Sequence, residues 1–243
     1  QRGARAARLA LGVEGTRRVK AIEVMKMNDA GSGVTGKPRR IECDLIACSG
    51  GWNPVVHLHS HAGGKNVWRD DFGIFVPGPT IQASAAAGAA NGSFSLQACL
   101  DQGAQAGAEA IKLIGFTPAK ASQPRATNDP AEEPWRNLWL IPSTRPTGER
   151  GKHFLDQQND VTAADIELAV REGYRSVEHA KRYTTLGMAT DQGKTGNIPG
   201  HAILAKALGQ DIPATGTTTF RPPYTPVTMG AVAGRMVDQF FDS

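Results

Sequence analysis

Apolar positions recur along this chain with two different periods, and the change of period divides it. Thr16–Met27 (TRRVKAIEVMKM) alternates basic with apolar residues, the period-two signature of a half-buried strand. Pro38–Ser49 (PRRIECDLIACS) predicts a second strand, closing in a continuous apolar run suited to a covered sheet. The glycines and proline of 50–54 (GGWNP) break it. Phe72–Pro77 predicts a third short strand. From Ser95 the period becomes helical. Ser95–Ile114 predicts an Ala-rich helix of about five turns, with Gly115 just past its end and Pro118 beyond.

A second helical region opens at Thr162, with Asp165 three residues on in the capping-box arrangement. Ile166, Ala169 and Val170 fall on one face, and Gly173 ends the helix. Ser176 predicts the next cap, with His179 three residues later and a short amphipathic turn through Lys181–Tyr183. A loop of small, hydroxyl and amide residues follows, Thr184 to Thr195, ending Gly-Lys-Thr. His201–Leu208 and Met229–Phe241 predict two further helices, and Trp135–Pro142 a strand. Between the regions, Thr117–Pro134 is rich in Pro, Ala, Ser, Asn and charge, the composition of a linker.

With 243 residues the chain can bury a sizeable core. It has no run of eighteen apolar residues and no signal-peptide pattern, and the first residue, Gln1, reads as a position inside a longer protein. Its three cysteines, Cys43, Cys48 and Cys99, are scattered, which suits a reducing cytoplasm. The net charge of +4 is uneven: residues 1–40 carry ten Arg/Lys against three acids. That strip lacks the interleaved aromatics of a nucleic-acid surface, so it reads as a solvated strand face that could also favour an anionic cofactor or a partner subunit.

Several motifs tempt. Gly31-Ser32-Gly33-Val34-Thr35-Gly36 matches GxGxxG, but a proline and a basic strand follow instead of a helix, so a hairpin loop is expected. His57, His59 and His61 would share one side of a strand and could chelate zinc. The preceding GGWNP and the lack of a nearby fourth ligand favour a helical turn or loop. No Ser-His-Asp set, carboxylate pair or reactive cysteine stands out, so no catalytic residue is assigned and no metal site.

The run Tyr183–Asn197 (YTTLGMATDQGKTGN), with Phe220–Pro226 (FRPPYTP), Asp44–Pro54 (DLIACSGGWNP) and Gly88–Gly107, resembles the alpha subunit of heterotetrameric sarcosine oxidase. The resemblance covers most of the chain. It implies an α/β fold: residues 1–116 as the C-terminal part of a FAD/NAD(P)-binding, two-dinucleotide-fold domain, 117–134 as linker, and 135–243 as a small, mainly helical domain. It implies an oxidoreductase that demethylates sarcosine to glycine with hydrogen peroxide, the one-carbon unit passing to tetrahydrofolate or leaving as formaldehyde. NAD would lie against Ala89, Phe94 and Leu96 under Tyr224. FMN would sit at an alpha/beta interface near Thr190, Gln192, Lys194 and Thr195. FAD would belong to the beta subunit. The partners implied are beta, gamma and delta subunits, with folate on a separate C-terminal domain, in the cytoplasm, without nucleic acid or membrane.

The helical region also resembles a 2Fe–2S ferredoxin-like module whose four cysteines fall at Asp156, Gln158, Asp191 and Gly196 in this chain. With no thiolate there, no iron–sulfur cluster is expected. Alternatives are the alpha subunit of a proline- or octopine-type dehydrogenase, whose relatives usually keep those cysteines, and a non-catalytic assembly module.

Overall fold

The computed structural model describes residues 8–48, 50–119, 123–130, 132–143, 146–149 and 151–237. The chain opens with an antiparallel meander, β1 (Arg8–Glu14), β2 (Ala21–Met27) and β3 (Val34–Glu42), with β2 central. The predicted strands exist with different bounds. The first begins five residues late, because Thr16–Lys20 forms the β1–β2 connection. The second stops at Glu42, and Leu45 in the apolar run after it is 77% exposed with no strand beside it. The GxGxxG segment lies at the β2–β3 hairpin, where Asn28 Oδ1 accepts the amides of Ser32 (2.9 Å) and Gly33 (3.3 Å).

A one-turn helix α1 (His57–His61) leads to a second hairpin, β4 (Asn66–Arg69) and β5 (Ile74–Pro77), paired antiparallel. All strand pairs among the described residues are antiparallel. Phe72, Ile74 and Val76 form a small apolar cluster, completed by Phe94 and Trp135. Trp135 stacks on Phe94 at 5.1 Å and meets Phe72 edge-on, and its amide donates to Asp71 C=O. That docking replaces the strand predicted over Trp135–Pro142, which runs without regular structure.

The long helix α2 (Leu96–Leu113) follows its prediction closely. Ser95 Oγ accepts the Ala98 amide, and Gly115 takes the left-handed conformation (φ +86°) past the end. The linker carries no regular element among its described residues.

The second core belongs to residues 154–208. A two-strand ribbon, β6 (Phe154–Asp156) and β7 (Val161–Thr162), packs with α3 (Ala163–Arg171), α4 (Val177–Thr184) and α5 (Asn197–Leu208). Both predicted caps form: the Asp165 carboxylate takes the Thr162 amide and hydroxyl, and Ser176 Oγ takes the His179 amide. Val161, Ile166, Leu186, Ile203 and Leu204 close the core. Burying a side chain such as Ile166 or Leu204 contributes about 1.5–3 kcal/mol. α5 starts four residues before its predicted His201. Short helices α6 (Ile212–Thr215) and α7 (Met229–Ala233) follow; the end of the predicted Met229–Phe241 helix lies outside the described residues. No helix among the described residues is long and apolar enough to cross a membrane.

Candidate functional site

The loop from Thr185 to Gly196 joins α4 to α5 and is shaped by its own small residues. Gly187 and Gly193 both have positive φ (67° and 73°), and a Cβ on either would strike the Asn197 amide group. The loop's far side is held by the β6–β7 ribbon. Asp156, buried to 4% exposure, places one carboxylate oxygen on the amides of Gln158 (2.9 Å) and Asn159 (3.1 Å) and the other on the Gly187 amide (2.9 Å). Gln158 Oε1 accepts the Thr190 hydroxyl at 3.1 Å. Asp191 Oδ1 accepts the Gly193 amide, and at Gly196 a Cβ would collide with Leu155 C=O. Asp156, Gln158, Asp191 and Gly196 therefore carry hydrogen bonds and close backbone packing.

The Phe220–Pro226 turn lies across this loop. Gln192 anchors it, its amide donating to Pro223 C=O and its Oε1 accepting the Arg221 amide (3.4 Å). Lys194 Nζ donates to Tyr224 C=O at 2.9 Å and sits 4.0 Å from the centre of the Tyr224 ring. That ring also meets Phe220 edge-on at 4.9 Å and stacks on His57 of α1 at 4.1 Å and 11°. Burial, then the nearby His61 and Lys194, pushes the His57 pKa down; burial, then Asp191, pushes the Tyr224 phenol up. Lys194, Tyr224 and His57 thus join the loop to the first hundred residues. His59 points elsewhere, its Nε2 3.1 Å from Lys65 C=O, so the three histidines do not converge. Among the described residues no group of three His, Cys, Asp or Glu could hold a metal ion.

Between loop and turn lies a cavity of about 480 Å³. The loop lines it with Gly187, Met188, Ala189, Thr190 and Gln192, and the turn with Arg221, Pro223 and Pro226. α4 contributes Glu178, Lys181 and Arg182. Arg182 pairs with Glu178 at 3.1 Å and also donates to its C=O at 2.7 Å. Burial lowers the Lys181 pKa, Arg221 and Arg182 lower it further, and Glu178 opposes them. Behind Lys181 lies His201, 2% exposed with neither ring nitrogen hydrogen-bonded; burial and Lys181 hold its pKa down to about 4.

Of the residues expected near FMN, Thr190 and Gln192 line the cavity; Lys194 clamps the turn and Thr195 is exposed on the loop. Sequence reasoning did not place Lys181, Arg182 or Arg221 at this site, and it weighed His57 only as a metal ligand. The Lys-Arg pair and the FRPPYTP turn were visible, but Lys181 and Arg221 stand forty positions apart, and no local pattern links them.

Of the residues expected near NAD, Ala89 is exposed on the Gly88–Asn91 turn and Leu96 is 58% exposed at the start of α2. Phe94 is half-buried in the aromatic cluster. No ring contact or hydrogen bond among the described residues joins Tyr224 to these three. The amides that open α2 are already matched: Glu132 accepts from Phe94 and Ser95 (2.5 and 2.6 Å), and Asp129 from Leu96 and Gln97 (3.1 and 2.8 Å). These backbone bonds, Gln97 first, hold the Asp129 carboxyl below its ordinary range. A dinucleotide here would therefore rest on the apolar surface of Ala89 and Leu96 unless the two carboxylates moved aside.

The fold is an α/β type found in solved enzymes. Over 92% of its length the chain is similar to 44% of L-proline dehydrogenase from P. horikoshii, with a TM-score of 0.62 and 20% sequence identity. Residues 150–235 match the sarcosine oxidase A3 domain family. The sarcosine oxidase subunit alpha of Corynebacterium sp. (strain P-1) is 43% identical over 212 residues, 85% of this chain. That of Rhizobium meliloti (strain 1021) is 40% identical over 227 residues, 93% of this chain. The chain belongs to the sarcosine oxidase alpha-subunit family. It spans 22% of the length of these relatives.

Proposed function

We propose that this chain is part of an alpha subunit supporting the oxidative demethylation of sarcosine to glycine and hydrogen peroxide, with the one-carbon unit passing to tetrahydrofolate or leaving as formaldehyde. Residues 1–116 are the C-terminal part of an NAD-binding domain, and 135–243 a helical module that shapes an FMN site against a beta subunit carrying FAD. Gamma and delta subunits complete the enzyme, and folate binds elsewhere on alpha. The observation that carries this reading is the 43% identity to an alpha subunit, which runs through both parts of the chain.

The geometry fits a flavin at the loop better than a dinucleotide at α2. The cavity combines apolar walls from Met188, Pro223 and Pro226 with the Thr190 hydroxyl and Gln192 amide on one rim. When bound, a flavin mononucleotide supplies electron transfer. This chain's residues bind and orient it: the Asp156 bonds fix the loop, and Lys194 and Gln192 hold the turn over the cavity. Ala89, Phe94 and Leu96, with Tyr224 beyond, are the residues that would hold NAD. No catalytic residue is assigned within the chain.

The reading is tested on the subunit purified with its partners. Acid extraction should release both NAD and FMN, and sarcosine should drive peroxide formation. Gln192→Ala should lower FMN occupancy by loosening the turn while NAD content holds. A complex without FMN, or without sarcosine-dependent peroxide, contradicts it.

A further inference from the structure

Positive charge in the cavity between α4, the loop and the Phe220–Pro226 turn exceeds what the protein itself neutralises. Three cations line it, from Lys181, Arg182 and Arg221, with one carboxylate, Glu178. That carboxylate is committed to Arg182, and it also accepts the Thr219 amide at 3.4 Å. Lys181 and Arg221 make no ion pair within 4.0 Å among the described residues. Lys181 is half-buried, and Glu178, already paired with Arg182, offsets its lost solvation only in part. The depressed pKa of Lys181 has the same origin. An anion in the cavity would satisfy both groups, and Arg221 offers a planar fork that matches phosphate oxygens.

We propose that this cavity is a phosphate-monoester site in which Lys181 and Arg221 are the anchoring residues. This deepens the flavin reading and rests on it for the ligand's identity, since FMN differs from riboflavin by that one group. The assignment moves phosphate binding away from Lys194, which is engaged with Tyr224. It also gives the apolar walls a role, because they would face the ring system while the cations hold its phosphate.

The test titrates inorganic phosphate, FMN and riboflavin into the full chain and into Lys181→Gln and Arg221→Gln variants. Phosphate is followed by calorimetry and the flavins by fluorescence. Lys112→Gln, an exposed lysine at the far end of α2, controls for overall charge. Circular dichroism verifies folding, and Arg221→Lys restores charge without the fork. Phosphate and FMN should each bind at least about tenfold more weakly to both glutamine variants. Riboflavin should change less than about twofold, and Arg221→Lys should recover part of the loss. Wild-type affinity in both glutamine variants, or an equal loss in Lys112→Gln, overturns the assignment. If phosphate binds and responds while neither flavin binds, the phosphate site stands and the flavin reading fails. If FMN and riboflavin bind alike and no variant separates them, the flavin reading stands and the phosphate assignment fails.

Discussion

At the scale of single residues, the sharpest physical conflict belongs to a buried histidine. His201 is enclosed by the second core with both ring nitrogens unpartnered, and its pKa is held to about 4. Protonation therefore favours the unfolded chain, where the imidazole titrates near its ordinary value of about 6.5. The stabilising effect of the neutral ring is complete above that value and is lost as pH falls from there towards 4, by roughly 3 kcal/mol in total. His201→Leu removes both the titration and the unsatisfied nitrogens. Its denaturation midpoint should exceed wild type at pH 5 and vary less between pH 7 and 4.5. An unchanged pH dependence would place the acid sensitivity elsewhere.

At the scale of elements, what was legible in the sequence was local. Ser95 with Gly115, Thr162 with Asp165, and Ser176 with Gly173 all punctuate helices through contacts of three or four residues, and all are found in place. The β2–β3 hairpin was likewise readable, because a proline follows the glycines. The failures have a tertiary cause. Trp135–Pro142 has the composition of a strand, but the burial of Trp135 in an aromatic cluster wins instead. The apolar run after Glu42 stays outside the sheet, with Leu45 exposed. The candidate cavity was half legible: Thr190 and Gln192 lie in a conspicuous loop, whereas Arg221 reaches it only through the fold. The element that holds this loop in shape is the β6–β7 ribbon, acting through Asp156. Asp156→Ala leaves three amides without their acceptor and should cost about 2–4 kcal/mol in urea unfolding. It should also weaken flavin retention, since the Gly187 end of the cavity is released. A loss below about 0.5 kcal/mol would show that the ribbon is not what orders the loop.

At the scale of the whole molecule, Trp135, from beyond the linker, docks in the first of two apolar clusters, and the His57–Tyr224–Lys194 stack ties α1 to the loop beside the second. Each carries a different candidate surface, the turn at 88–96 and the cavity at 187–226. These two surfaces should bind independently of each other. The most direct measurement is the FMN and NAD content of the subunit purified with its partners, wild type against Arg221→Glu. The charge reversal should strip FMN by at least about tenfold and leave NAD per subunit unchanged. FMN retained at wild-type occupancy, or both nucleotides lost together from a protein that still melts normally, would contradict it.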